Sequence, residues 1–145
     1  MKELKTILLA EDNPHDVELT FEALKEHNLA NQVVVVKDGV EALEFLNYEG
    51  RFRNRKKGNP IVLLLDLKMP RMDGIEVLEA IRSNEKLKTL PVVMLTSSRQ
   101  EPDLKKCYDL GVNAYVVKPV DFKDFLDAVK QIGLFWAMLN EPPAE

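Results

Sequence analysis

Five short apolar segments, rich in leucine and β-branched residues, recur at intervals along this chain of 145 residues. Apolar runs of this length are typical of strands that are buried on both faces of a parallel sheet. Segments with helical periodicity lie between them, as in the spacing of Val17, Phe21 and Leu24. This alternation predicts right-handed crossovers and a mainly parallel sheet with helices on both faces, a doubly wound α/β fold. The predicted strands are residues 6–10, 33–36, 61–65, 92–95 and 114–117.

Proline and glycine mark the expected helix boundaries. Asn13 and Pro14 supply an N-cap and a first-turn proline for the first helix, and Pro102 opens the fourth helix. Gly111 is a suitable stop for the C-terminus of that fourth helix. No repeat or flexible linker divides the sequence, so we expect one domain over residues 1–145.

The composition argues against several classes of protein. With 20 Lys and Arg residues against 24 Asp and Glu, the net charge is -4, which gives no overall attraction for nucleic acid. Cys107 is the single cysteine, so no internal disulfide can form, and a reducing cytoplasm is the expected location. The charged N-terminus is unlike a signal peptide, and no apolar run approaches the ~18 residues of a membrane span. We therefore expect a cytoplasmic protein without nucleic-acid or membrane partners.

A basic segment over residues 48–60 separates the second predicted helix from the third predicted strand. Charge runs of this kind are usually solvated surface, so the favoured interpretation is an exposed loop insertion. A docking patch for an acidic partner is the alternative. Its basic residues are Arg51, Arg53, Arg55, Lys56 and Lys57.

Polar residues follow four of the predicted strands directly. In a parallel sheet the carboxyl ends of the strands face one crevice, where folds of this class place ligands and chemistry. Taken singly, each residue has an ordinary explanation, such as an acid ahead of a helix N-terminus or a loop hydroxyl bonded to the local backbone. Their joint placement carries the argument. The residues are Glu11 and Asp12 after the first strand, Asp66 after the third, Thr96 after the fourth and Lys118 after the fifth.

Three carboxylates in one crevice repel each other unless protons or a cation intervene. Mg²⁺ prefers oxygen ligands and is usually held by one or two carboxylates together with phosphate oxygens. If a phosphoryl donor enters, Asp66 can attack phosphorus while the cation and Lys118 neutralise the phosphoryl oxygens. Thr96 can then donate a hydrogen bond to the transferred group.

These residues lie in segments that resemble the receiver domain of two-component response regulators, particularly single-domain members of the chemotaxis type. The resemblance covers nearly the whole chain. The segments are residues 7–13 (ILLAEDN), 64–74 (LLDLKMPRMDG), 94–98 (MLTSS) and 111–119 (GVNAYVVKP).

The resemblance implies a flavodoxin-like strand order, 2-1-3-4-5, and phosphorylation of Asp66 by a histidine kinase or phosphotransfer protein. It implies that Asp12, Asp66 and the backbone carbonyl of Lys68 hold Mg²⁺, with Glu11 acting through a metal-bound water. A cis peptide bond between Lys118 and Pro119 would aim the ammonium into the crevice.

The same resemblance implies a switch made of Thr96 and Tyr115, in which the hydroxyl moves towards the phosphoryl group and the aromatic ring turns inward. The alternative for Tyr115 is an ordinary aromatic residue on an edge strand.

Apolar residues continue beyond the core-facing stripe of the last helix, which we expect over about 121–140. No DNA-binding domain is expected after it, so output should come from protein contacts. The fourth helix, fifth strand and fifth helix are the expected surface for a homodimer or for docking a kinase. The basic insertion and the apolar tail resemble the small response regulators that partner bacterial phytochrome kinases. The further apolar residues are Leu134, Phe135, Met138 and Leu139.

Three other functions compete with a phosphoacceptor. A phosphoaspartyl hydrolase places a general acid two residues after its nucleophile, but Lys68 occupies that position, so we expect no enzyme of this class. A nucleotide-binding module would need a glycine-rich phosphate motif, and none occurs. A receiver that serves only as a scaffold would not need the complete set of acids, hydroxyl and lysine.

Overall fold

The computed structural model describes residues 6–25, 32–97 and 102–131. A five-stranded, all-parallel sheet with strand order 2-1-3-4-5 forms its centre, as predicted. The strands are β1 Thr6–Ala10, β2 Gln32–Val36, β3 Val62–Asp66, β4 Val92–Thr96 and β5 Ala114–Val117. The helices are α1 Pro14–Lys25, α2 Gly39–Leu46, α3 Gly74–Arg82, α4 Asp103–Asp109 and α5 Phe122–Gln131.

Alternating side chains of each strand enter two separate apolar layers. Leu8 of β1 packs with residues of α2, α3 and α4 on one face of the sheet. Its neighbours Ile7 and Leu9 pack with residues of α1 and α5 on the other face. Because successive side chains of a strand point to opposite faces, a continuous apolar run fills both layers. The doubly wound architecture predicted from the sequence is confirmed.

The parallel register brings the carboxyl ends of β1, β3, β4 and β5 to the same edge of the sheet. Leu65, one residue before Asp66, pairs with Ala10, the last residue of β1. Thr96, the last residue of β4, pairs with Val117, the last residue of β5. Both β3 and β4 extend one residue further than predicted, to Asp66 and Thr96, so these polar side chains stand on the strand ends themselves.

The predicted helix boundaries have the expected local chemistry. The side-chain oxygen of Asn13 accepts hydrogen bonds from the backbone N–H groups of His15 and Asp16, at 2.9 and 3.1 Å, and so caps α1. Pro102 directly precedes α4. Gly111 follows that helix with a φ of +90°, a conformation that side chains other than glycine rarely adopt.

The basic segment over 48–60 is organised around one arginine. The Arg55 guanidinium lies 4.0 Å from the ring centroids of both Phe45 and Tyr48. Its Nε donates to the carbonyl oxygen of Phe45 at 2.6 Å, and its Nη1 donates to the carbonyl of Gly58 at 2.9 Å. The expectation of a simply solvated insertion is wrong for Arg55, because its guanidinium is partly buried between two aromatic rings, and its Nη2 atom has no hydrogen-bond partner among the described residues. Arg51, Arg53, Lys56 and Lys57 are exposed.

The C-terminal helix is described only in part. The described part of α5 ends at Gln131, so the extension predicted to about residue 140 and its additional apolar residues lie outside the described residues. Phe125, which is fully buried, and Ala128 anchor α5 on the sheet. Among the described helices, none is long and apolar enough to span a membrane.

Replacing Arg55 should destabilise the protein. We expect Arg55→Ala to lower the free energy of unfolding by about 2 kcal/mol, because it removes two cation–π contacts and leaves carbonyl groups without their donor. Urea denaturation measures the loss. Arg55→Lys should recover little of it, since an ammonium lacks the planar fork. Lys57→Ala, which removes an exposed cation of the same segment, is the control and should change stability by less than about 0.5 kcal/mol. Equal losses for the two alanine variants would contradict the role given to Arg55.

Candidate functional site

A cavity of about 250 Å³ opens at the carboxyl ends of the strands. The structure brings six of the seven predicted site residues together in its wall. Asn13, Asp16, Leu67 and Ser97 complete the lining. The six predicted residues are Glu11, Asp12, Asp66, Lys68, Thr96 and Lys118.

Lys118 contacts three carboxylates in this cavity. Its Nζ lies 3.1 Å from Glu11 Oε1, 3.1 Å from Asp16 Oδ2 and 3.3 Å from Asp66 Oδ1. The peptide bond between Lys118 and Pro119 is cis, as the resemblance implied. The backbone N–H of Lys118 also donates to the carbonyl of Thr96 at 2.7 Å, which ties the end of β5 to the end of β4. One ammonium therefore contacts Glu11, which directly follows β1, Asp16 of α1 and Asp66 of β3.

The acids are crowded and largely withdrawn from water. The side chain of Glu11 is fully buried, and that of Asp66 is 6% exposed. Burial, followed by the adjacent Asp66 carboxylate, raises the pKa of Glu11 to about 7. Burial opposes the charge of Lys118, but the charge of Asp66 and the hydrogen bonds to Asp16 and Glu11 outweigh it and raise the pKa of the ammonium. The site therefore contains more negative charge than one lysine balances.

The donor set fits a hard divalent cation. Carboxylate oxygens of Glu11, Asp12 and Asp66 all lie within 4.8 Å of one another. Asp12 is exposed at the mouth of the cavity, while the other two acids are buried. Oxygen-only ligands with room for water suit Mg²⁺ or Mn²⁺ rather than a metal that prefers sulfur or imidazole. The acidic cluster predicted from the sequence is confirmed.

The turn after Asp66 packs closely against the strand end. Gly74 begins α3, and its N–H donates to the carbonyl of Leu67 at 3.0 Å. A Cβ at Gly74 would lie 2.6 Å from the carbonyl oxygen of Asp66, a distance that real Cβ contacts do not show. The preceding residue, Asp73, caps α3, because its side chain accepts a hydrogen bond from Glu76 N–H at 2.9 Å. Asp73 therefore starts the helix, and Gly74 allows the helix backbone to approach the backbone of Asp66 closely.

Asp16 is a member of the site that the sequence interpretation did not identify. Its carboxylate Oδ2 lies 3.1 Å from Nζ of Lys118. An acid in the first turn of a helix that follows an acidic strand end is the signal that could have found it. The first turn of α1 begins at that edge of the sheet, so Asp16 faces the same cavity.

Tyr115 is the seventh predicted residue, and it is not part of the lining of this cavity. It lies on β5, opposite Met94 of β4, and its ring packs edge-on against Tyr108 with centroids 6.1 Å apart. Both tyrosines border a second cavity of about 360 Å³ between α4, β5 and α5. The inward turn implied for Tyr115 concerns a change of state and stays a prediction.

Comparison with known proteins places this geometry in a family. The profile described as the response regulator receiver domain matches residues 7–130. The chain belongs to that family. Response-regulator receivers are phosphoacceptors of two-component signalling, so the function class predicted from the sequence is confirmed.

Three relatives show how closely the receiver matches known response regulators. Response regulator Rcp1 of Synechocystis sp. is 40% identical over 97% of this chain and 94% of its own length. The structure of the bacteriophytochrome response regulator RtBRR is 58% identical, with a TM-score of 0.88, over 97% of this chain and 85% of that one. The structure of the phosphorylated cyanobacterial phytochrome response regulator RcpA is 40% identical, with a TM-score of 0.77, over 98% and 100%. A solved structure of Rcp1 is the Mn²⁺-bound form.

Removing one carboxylate from the cluster should have opposite effects with and without Mg²⁺. We expect Asp66→Asn to stabilise the metal-free receiver by roughly 1 kcal/mol, the free energy of about one pKa unit, because it relieves repulsion of Glu11. The same variant should lose the stabilisation that Mg²⁺ gives the wild type. Thermal unfolding with and without Mg²⁺ measures both effects.

Asp109→Asn, which neutralises an exposed acid paired with Lys105 on α4, is the control for the change of charge. It should leave the Mg²⁺-dependent stabilisation at the wild-type value. Full Mg²⁺ stabilisation of Asp66→Asn would remove Asp66 from the ligand set.

Proposed function

We propose that Asp66 is the phosphoacceptor of this receiver and that phosphorylation switches a protein-interaction surface. The observation that carries the proposal is the position of Lys118, whose Nζ lies 3.3 Å from Asp66 Oδ1 inside an acidic cavity. Asp66 is the buried acid at the end of the central strand β3, and the cavity gives a phosphoryl donor access to it.

Asp12, Asp66 and the backbone carbonyl of Lys68 would hold Mg²⁺, and Glu11 would bind it through a water. The oxygen-rich donor set and the repulsion among these acids support this assignment. When bound, the cation neutralises phosphoryl oxygens and the carboxylates around them.

The residues of the chain supply nucleophile, positive charge and hydrogen bond. A carboxylate oxygen of Asp66 attacks phosphorus and forms a P–O bond, while the bond from phosphorus to the donor breaks. With phosphohistidine as the donor, the electron pair goes to the imidazole nitrogen. The Lys118 ammonium lies where it stabilises negative charge on the phosphoryl oxygens. Thr96, buried beside Asp66 on the neighbouring strand, donates its hydroxyl to the transferred group.

Thr96 and Tyr115 would couple the phosphoryl group to the surface. They lie on adjacent strands, and Tyr115 is half-buried beside the exposed Tyr108. A shift from about 1% to 99% of the active state needs ~5.5 kcal/mol of differential stabilisation. Two or three charge-assisted hydrogen bonds to the phosphoryl group are of sufficient strength.

The phosphoryl donor would be a histidine kinase or phosphotransfer protein, and specifically a bacterial phytochrome kinase. The similarity to RtBRR and RcpA supports the phytochrome assignment.

The face of α4, β5 and α5 would form a homodimer or dock the kinase. Light scattering over a concentration series tests whether the homodimer forms. The open cavity between these elements supports that surface. The sequence contains a single cysteine, Cys107, which fits the predicted cytoplasmic location.

A turnover enzyme is the second candidate, and the position of Lys68 opposes it. A phosphoaspartyl hydrolase needs an acid two residues after its nucleophile, and an ammonium cannot serve as that carboxylic acid at neutral pH. We therefore propose a stoichiometric phosphoacceptor rather than a hydrolase.

Incubation with acetyl phosphate tests the phosphoacceptor directly. We expect one phosphoryl adduct by intact mass, which requires Mg²⁺ and is absent in Asp66→Asn. Lys118→Ala should slow its formation by at least about tenfold, because the cation next to Asp66 is lost. Lys105→Ala, which removes an exposed cation on α4, is the matched control. An adduct of equal yield in Asp66→Asn would refute Asp66 as the acceptor, and continuous release of phosphate from esters would favour the hydrolase.

Phosphotransfer from a purified kinase tests the proposed donor. A bacterial phytochrome kinase loaded with radiolabelled phosphate should transfer the label to the wild-type receiver within seconds to minutes and not to Asp66→Asn. A histidine kinase of an unrelated sensor class serves as the comparison. Transfer from the unrelated kinase alone would exclude the phytochrome assignment and keep the phosphoacceptor.

A further inference from the structure

The turn between β3 and α3, residues 67–73, carries Lys68 and forms one side of the acidic cavity. Backbone hydrogen bonds hold its two ends. The N–H of Leu67 donates to the carbonyl of Leu95 at 2.9 Å, and the N–H of Gly74 donates to the carbonyl of Leu67 at 3.0 Å. Between these ends, Arg71 makes a side-chain contact with a different part of the fold.

Arg71 forms an ion pair with Asp38, a residue 33 positions earlier in the chain. Both Nε and Nη2 of the guanidinium lie 2.8 Å from Oδ2 of the carboxylate. The other carboxylate oxygen, Oδ1, accepts the N–H of Glu41 at 2.9 Å and so caps α2. The Asp38 side chain is only 12% exposed, and the hydrogen bond from Glu41 N–H holds it at the start of α2.

The backbone at Arg71 is in a conformation that costs free energy for this residue type. Its φ is +64°, in the left-handed region that favours glycine. The adjacent N–H of Met72 donates to the carbonyl of Pro70 at 2.7 Å, which makes the turn tight. Such a conformation persists where surrounding contacts enforce it.

The first residue of α2 lies directly against the same turn. A Cβ at Gly39 would collide with the carbonyl oxygen of Met72 and lie 2.6 Å from Val77 Cγ2. The turn therefore packs against the first residue of α2, and the ion pair of Arg71 with Asp38 adds a second contact between the turn and the start of that helix. No residue of the described chain other than Asp38 has an ion pair to Arg71.

We infer that Arg71 is a positioning residue, whose ion pair with Asp38 holds the turn so that Lys68 presents its backbone carbonyl to a divalent cation. The inference rests on the proposed function, which makes that carbonyl a ligand. Residues that orient metal ligands typically change metal affinity by about tenfold or more when they are removed. The effect expected here lies in metal binding more than in global stability, because Arg71 is 56% exposed and exposed ion pairs stabilise a fold little.

The test compares Arg71→Gly, Asp38→Asn and the double variant with the wild type. Glycine removes the guanidinium while it accepts the positive φ, and asparagine keeps an oxygen that can cap α2. Calorimetric titration with Mg²⁺ alone should give a dissociation constant about tenfold weaker for each variant, with no further loss in the double variant. Hydrogen exchange of the metal-free protein should be faster in residues 67–73 of the variants than in the wild type.

The sign of the effect separates positioning from simple electrostatics. Loss of the positive charge of Arg71 would strengthen cation binding if charge alone mattered, so weaker binding by Arg71→Gly requires a geometric cause. Lys88→Gly, which removes an exposed cation paired with Glu85 in another loop, is the matched control and should keep wild-type Mg²⁺ affinity.

The positioning role would be overturned if the wild type binds Mg²⁺ and both Arg71→Gly and Asp38→Asn bind it with the same affinity. This holds even if both variants melt at a lower temperature. A wild type that neither binds Mg²⁺ nor forms the acetyl phosphate adduct would instead refute the proposed function, and the positioning role would fail with it. Additive losses in the double variant would show two independent effects and would also overturn the inference.

Discussion

The concentration of carboxylates around Lys118 is the interaction on which the site depends. Glu11 directly follows β1, Asp16 lies in α1 and Asp66 ends β3, and one ammonium contacts all three. Burying several carboxylates beside a single cation is unfavourable. The pKa of Glu11 is raised for this reason, because burial and the adjacent Asp66 disfavour its charged form. A site in this condition favours any ligand that adds positive charge. The same imbalance that weakens the metal-free fold therefore gives the cavity its affinity for a divalent cation.

The sheet supports this imbalance because its own packing is very regular. β3 is buried along its whole length, and its alternating side chains fill the apolar layers on both faces. Burial of this apolar surface stabilises the fold and offsets the unfavourable repulsion among the acids at the strand ends. Parallel register then delivers the polar residues to one edge. Close backbone approaches at Gly39 and Gly74 keep the flanking helices near that edge.

The sequence was sufficient for the elements whose cause is local or periodic. Apolar runs predicted the five strands to within one residue at each end, and the strand ends identified Asp66 and Lys118 because parallel strands finish at a common edge. Contacts between side chains far apart in sequence were not predictable in the same way. The pairs of Asp16 with Lys118 and of Asp38 with Arg71 depend on how helices and loops lie against each other, which no periodic pattern encodes. Arg55 belongs to the same group, since a charge run alone does not show which of its members stacks on aromatic rings.

The two ends of α2 contact two different loops of the fold, the turn around Arg71 and the basic segment. At its first turn the helix contacts the strained backbone around Arg71, near the acidic cavity, while at its other end Phe45 stacks with Arg55 of the basic segment. A left-handed residue in a turn is maintained only when its neighbours cannot move. Arg55 packs against the C-terminal end of α2, and no residue of the insertion lines the cavity. The insertion and the turn around Arg71 therefore contact opposite ends of the same helix.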